Sequence, residues 1–192
     1  MSGTSFTSAV NDLLEPAGFT RAGRAIWNRT AGGYRDAISL QTIQSLGTVV
    51  NIYSVDLTSE AILDSCAPDQ SGGLMYPVYE RLGLLMGPYD RAWRRGRDRP
   101  SDLAAAIEKY ALPFLDRMHD LVQLMGYLGT GARKWREFTE VVYLAITLHR
   151  LGETEQACKL LAHPPRRLEA GGRIKVAALR DYFGCSPLYP DP

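Results

Sequence analysis

Residues 87–100 read GPYDRAWRRGRDRP, and the hydrophobic period changes across this stretch. Before it, apolar residues recur at every second position: Ile38, Leu40 and Thr42 share one face of Tyr34–Gln44, and Thr48, Val49, Val50, Ile52 and Val55 make the next run rich in β-branched side chains. After it, they recur every three or four positions, as in Leu103, Ala106, Ile107 and Tyr110, or Phe138, Val141, Val142, Ala145, Ile146 and Leu148. Period two marks a strand with one face buried, and a period near 3.6 marks an amphipathic helix. Segregating the two periods into two halves predicts an α+β chain: an antiparallel twisted sheet of about four to five strands in the N-terminal half, packed with helices mostly from the C-terminal half.

Working outward toward the N-terminus, Leu74–Met86 reads as one or two further strands. Residues 58–73 read as a loop with one short helical turn, on the strength of Pro68, Asp69, Ser71, Gly72 and Gly73. Three strands precede them, at Ala25–Arg29, Tyr34–Gln44 and Thr48–Leu57. Their connections are short and carry Gly32-Gly33 and Gly47, which predicts an antiparallel meander. A first helix is expected over Thr4–Glu15, with Phe6, Val10, Leu13 and Leu14 on one face and Pro16-Ala17-Gly18 as its stop. Toward the C-terminus, helices are expected over 101–111, 112–128, 134–150, 153–162 and 173–183, followed by a tail that proline excludes from regular structure. The chain thus reads as a single domain, 1–192, with a sheet-rich half at about 1–86, an arginine-rich connection at 87–100, a helical half at 101–185 and a Pro-rich tail at 186–192.

The 192 residues are 45% hydrophobic and 22% charged, with a net charge of +1. That is enough apolar material for a real core, and the balanced charge argues against a general nucleic-acid coat or a basic membrane binder. No signal peptide is expected from MSGTSFTSAVNDLL, and no apolar run is long enough to span a bilayer. Cys66, Cys158 and Cys185 are odd in number and widely spaced, which favours reduced thiols and a cytoplasmic setting.

The arginine-rich segment is where composition asks for a function. Arg91, Arg94, Arg95, Arg97 and Arg99 are accompanied by only Asp90 and Asp98, and by the aromatics Tyr89 and Trp93. Guanidiniums with aromatics suit phosphate clamping or base stacking, and equally an acidic protein partner; a solvated loop paired with its own carboxylates is the bland alternative. Other chemistry is thinly supported. Gly129-Thr130-Gly131-Ala132-Arg133-Lys134 lacks the spacing of a phosphate loop and follows a helix rather than a strand. His119, His149 and His163 do not pair at ligand spacing, so no metal or cofactor is expected. Cys66 with a distant histidine, or the carboxylates Asp56, Glu60, Asp64 and Asp69, would serve an enzyme only if the fold gathered them.

Leu13-Leu14-Glu15-Pro16-Ala17-Gly18-Phe19, Gly23, Trp27, Leu40-Gln41 and Val50-Asn51-Ile52, followed by Arg81-Leu82-Gly83-Leu84-Leu85, Asp90, Trp93 and Ala111-Leu112-Pro113-Phe114-Leu115-Asp116, resemble the motifs of the domain of unknown function 4304 family over about residues 10–125. Ala92-Trp93 stands where members of that family show two adjacent tryptophans. The resemblance implies a fold and no chemistry. Ala145, Leu148, Leu151-Gly152, Ala157 and Leu160-Leu161 resemble one tetratricopeptide-type hairpin. The functional expectation is a non-enzymatic, bacterial immunity- or adaptor-like module with a protein partner. The alternatives are an anionic-ligand or nucleic-acid binder acting through residues 89–99, and an enzyme with a site between sheet and helices using Asp56, Glu80 or Cys66. No membrane partner is expected.

Overall fold

A computed structural model describes residues 5–68, 76–129, 138–163 and 170–186. It is α+β, as the two hydrophobic periods require. Five strands, β1 (Thr20–Gly23), β2 (Ile26–Ala31), β3 (Tyr34–Ile43), β4 (Gly47–Asp56) and β5 (Val78–Arg81), lie side by side in sequence order. The pairings of β1 with β2, β2 with β3 and β4 with β5 are antiparallel. The helices are α1 (Phe6–Leu14), α2 (Leu57–Cys66), α3 (Leu82–Met86), α4 (Pro100–Ala106), α5 (Leu112–Met118), α6 (Leu121–Gly129), α7 (Phe138–Arg150), α8 (Thr154–Ala162) and α9 (Ala170–Tyr182). The expected turns at Gly129–Gly131 and 164–165, and the Pro-rich tail from 187, fall wholly or largely outside the described residues.

Contacts group the chain into two compact units, each built from two separate segments. One comprises residues 1–55 and 78–119, and the other 56–77 and 120–192. The arginine-rich stretch lies inside the first unit.

In that unit the backbone follows local chemistry closely. Ser5 caps α1, its hydroxyl accepting from Ser8 N at 3.1 Å, and Gly18, at φ +83°, lets Phe19 N return to Leu14 O. The β2–β3 hairpin pairs Ala31 with Tyr34 around Gly32 and Gly33 at φ +58° and +84°. This is the two-residue, double-positive turn whose twist matches the strands. Residues 100–118 form one continuous helical run. Pro113 has no N–H to offer the carbonyl of Lys109, and the run widens there into a π turn over Ile107–Ala111, with Leu112 N bonding Ile107 O. Trp27, Ile38 and Ile52 are fully buried in the sheet, as are Leu103, Ile107 and Leu115 in the helices.

In the second unit α7 carries an unbroken buried stretch from Val141 to Leu148. It packs with α8 as a helical hairpin whose turn is Gly152, at φ +89°, with Ala145 and Ala157 buried. Helices α2 and α6 pack on α7, and α9 packs on α2 and α8.

Four expectations need correction. Residues 57–66 are a full helix rather than a loop with one turn. Asp56 caps it, accepting from Thr58 N at 3.0 Å and Ser59 Oγ at 2.8 Å. Residues 82–86 are helical, so Leu74–Met86 holds one described strand. The expected helix 112–128 is two helices, because Asp120 Oδ1 accepts from both Val122 N and Gln123 N and starts a new one. Finally, Cys158 and Cys185 are not free thiols. The packing of α9 on α8 brings their Cα atoms to 5.5 Å, and they form a disulfide.

Candidate functional site

The edge of the sheet explains the arginine loop. β5 pairs residue by residue with β4 from Val78↔Ser54 to Arg81↔Asn51. The chain then leaves the sheet for Leu82–Ala92 and returns at Trp93, which bridges Thr48 through two backbone hydrogen bonds of 2.8 Å. Trp93 therefore lies where a continued β5 would lie, and residues 82–92 form an excursion from an interrupted edge strand. Its base is closed tightly. A Cβ on Gly83 would collide with the backbone of Arg91, and Arg81 Nη1 donates to Asp90 Oδ2 at 2.5 Å. Hydrogen bonds to the Tyr79 hydroxyl and then to Asp90 push the Arg81 guanidinium above its ordinary range, so it remains a cation there. Tyr79 OH in turn donates to Asn51 Oδ1 at 3.2 Å, tying the excursion back into β4. Its outer part presents Leu84 and Tyr89, the latter 84% exposed.

After Trp93 the chain makes a turn. Arg97 N and Asp98 N both donate to Arg94 O, while Asp98 Oδ2 accepts from Arg94 N at 2.7 Å. This turn sets Arg94 and Arg95 beside the β3–β4 hairpin, where with Thr42–Thr48 and Trp93 they line an open cleft of about 300 Å³. Gly47 makes the approach possible. It sits at φ +117°, and a Cβ there would fall 2.6 Å from Trp93 O. Arg94 Nε donates to Leu46 O at 3.3 Å, which holds that side chain over the hairpin.

The expected site residues thus divide. Arg94 and Arg95 line the cleft, and Arg97 and Arg99 are exposed nearby in sequence without a side-chain bond to another described residue. Arg91 is engaged: its guanidinium lies 5.3 Å from the Trp93 ring centroid and 3.7 Å from Asp98. Trp93 is fully buried. Its ring holds the loop against the sheet and offers no face for a stacked base.

The carboxylates expected to form a rim are tied to helix α2 where they are described. Asp56 is a helix cap paired with Arg150, Glu60 and Asp64 lie on α2, and Asp69 is outside the described residues. Asp56 and Cys66 flank opposite ends of the ten-residue α2, about 15 Å apart along its axis. Burial pushes the Cys66 thiol up, with a smaller opposing effect from its hydrogen bond with Ser65. That is the reverse of an activated nucleophile. Among the described residues no three His, Cys, Asp or Glu side chains are grouped to hold a metal ion.

One polar cluster had no counterpart in the sequence-based site. Asp36, fully buried, receives Arg29 Nε and Nη2 at 3.1 and 2.8 Å and Ser54 Oγ at 2.8 Å, and it lies 3.0 Å from His119 Nε2. The His119 ring stacks on Tyr34 at 4.4 Å. The available signal was parity: Asp36 falls on the same strand face as Ile38 and Leu40, and a charge at an inward position implies a buried partner.

Comparison of the chain with protein-family models, with curated proteins and with solved structures finds no match. Among the described residues no helix is long and apolar enough to cross a membrane.

Proposed function

We propose that this chain is a non-enzymatic interaction module of adaptor or immunity type, whose cleft between the β3–β4 hairpin and the arginine turn takes an acidic segment of a partner protein. The observation that carries this reading is the juxtaposition of Arg94 and Arg95 with Ile43 and the half-exposed Leu46 in one open cleft. Cations beside apolar contact area are what an acidic peptide needs: the charges select and orient it, and desolvated apolar contacts slow its departure. The Thr48–Trp93 backbone bonds and the Arg81–Asp90 pair hold the loop before any partner arrives, so little ordering entropy remains to be lost on binding. The burial of Trp93 weighs against single-stranded nucleic acid, which would use exposed aromatic platforms.

Fluorescence anisotropy of dye-labelled hexaglutamate, with hexalysine as control, tests the reading. Hexaglutamate binds, more weakly as salt rises, and loses affinity when Arg94, Arg95 and Arg97 are all replaced by Ala. A folded triple variant that binds hexaglutamate like the parent chain would overturn it.

A further inference from the structure

We propose that the group this cleft selects is a phosphate monoester borne by a side chain of the partner protein; the inference rests on the cleft being the docking surface described above. The lining combines apolar surface with residues that carry hydrogen-bond donors. Besides Arg94 and Arg95, the lining residues include Thr42, Gln44, Ser45 and Thr48, each with a side-chain donor. A carboxylate brings two oxygens and one charge. A phosphate monoester brings three terminal oxygens and a charge of about −1.5 to −2 at neutral pH.

The charges match the larger anion. The side-chain bond of Arg94 goes to a neutral carbonyl, that of Leu46, and no bond joins Arg95 to another described residue. Asp98, the carboxylate of the same turn, does not line the cleft: it takes Arg94 N and faces Arg91. Arg94 and Arg95 bring two positive charges to a cleft with no carboxylate among its lining residues, and one dianion neutralises both. Arg94 is also aimed in advance. Its Nε is occupied by Leu46 O while its two terminal nitrogens remain available, the arrangement from which arginine grips an oxyanion with paired N–H groups. Ile43 and Leu46 assign the phosphate to a polypeptide rather than to free phosphate, because they offer apolar contact that only flanking side chains can use.

The test uses the full chain and four dye-labelled hexapeptides that differ at one central position, phosphoserine, phosphotyrosine, glutamate or serine, each flanked by leucines, with inorganic phosphate as competitor. At least one phosphopeptide binds about tenfold or more tightly than its glutamate and serine counterparts, and Arg94→Ala and Arg95→Ala each remove most of that preference. Arg94→Lys, which keeps the charge and loses the fork, also lowers it. Inorganic phosphate displaces the phosphopeptide only at far higher concentration. Equal binding of the glutamate peptide and both phosphopeptides overturns the phosphate assignment and leaves the acidic-segment reading standing. Absence of binding by all four peptides overturns both. Displacement by inorganic phosphate at concentrations matching the peptide's own affinity overturns the polypeptide source. Unchanged phosphopeptide binding by folded Arg94→Ala and Arg95→Ala chains overturns the cleft as the site.

Discussion

The Asp36 carboxylate and the Arg29 guanidinium are joined by two N–H···O bonds, 3.1 Å from Nε and 2.8 Å from Nη2, across the β2–β3 pair. Asp36 has no contact with solvent, whereas Arg29 also reaches Asp116 at 3.1 Å and lies over the Phe19 ring. The pair is therefore asymmetric. Arg29→Ala leaves the buried Asp36 carboxylate with only Ser54 Oγ and the His119 ring and should cost about 3 kcal/mol or more, as is usual when one partner of a buried pair is deleted. Asp36→Asn removes the buried charge and leaves Arg29 with Asp116, so it should cost less. Urea unfolding of the two variants checks the order; Asp36→Asn proving the more damaging would refute this account.

The glycines at the arginine loop make a second prediction. Gly83→Ala and Gly47→Ala both drive a methyl into backbone atoms, of Arg91 and Trp93 respectively. Each should cost about 2 kcal/mol or more, since the loop must shift to admit the new atom. Gly96 sits at φ +78° with nothing within reach of a Cβ, so Gly96→Ala should cost only about 1 kcal/mol, from the left-handed backbone alone. The first two variants should also lose binding at the cleft while Gly96→Ala retains it. Thermal melts with parallel binding assays separate these effects.

Gly47 also shows what a local sequence pattern leaves out. Gly47 was legible as a turn residue, because it interrupts two runs of period two. That its missing side chain also admits Trp93 depends on the bridge between Thr48 and Trp93, 45 positions apart, which no local pattern encodes. β2 and β3 were legible from alternation and bounding glycines, and β4, apolar on both faces with Val49 and Val55 on one and Val50 and Ile52 on the other, from its β-branched run. Helix α2 was not: its polar and apolar residues scatter around the axis, and it begins on a cap, Asp56, at the very end of a strand. The helix break at His119–Asp120 was hidden because apolar spacing continues through it, and only the two N–H groups on Asp120 reveal a new start. Trp93 and Arg94 were both expected at the site, yet one proves to be a buried anchor and the other a cleft-lining cation. Composition could place them in one segment but could not divide their roles.

The disulfide gives a third prediction. Cys158 and Cys185 close a loop with a sequence separation of 27, and Arg180 spans the same region, donating to Cys158 O and Ser186 O. Opening that loop releases chain entropy in the unfolded state, so Cys185→Ser should lower stability by about 3 kcal/mol. Intact-mass analysis after alkylation, with and without prior reduction, should show one accessible thiol before reduction and three after it. Three thiols before reduction would show that the pair does not form under the conditions of purification.

The single free thiol gives a pH dependence whose sign can be worked out. Burial favours the neutral form of Cys66, so its folded-state value lies above that of an unfolded cysteine. The stability this contributes is fully present below the unfolded thiol's range and is lost as pH rises through the folded one, because the unfolded chain releases its proton first. Stability of the parent chain should therefore fall between about pH 8 and pH 10 more steeply than that of Cys66→Ala, whatever packing the substitution itself removes. Iodoacetamide should likewise label Cys66 more slowly than a free cysteine at pH 8, with the gap narrowing as pH rises. Faster labelling than free cysteine would mean an activated thiolate, and would bring back the nucleophilic role that burial argues against.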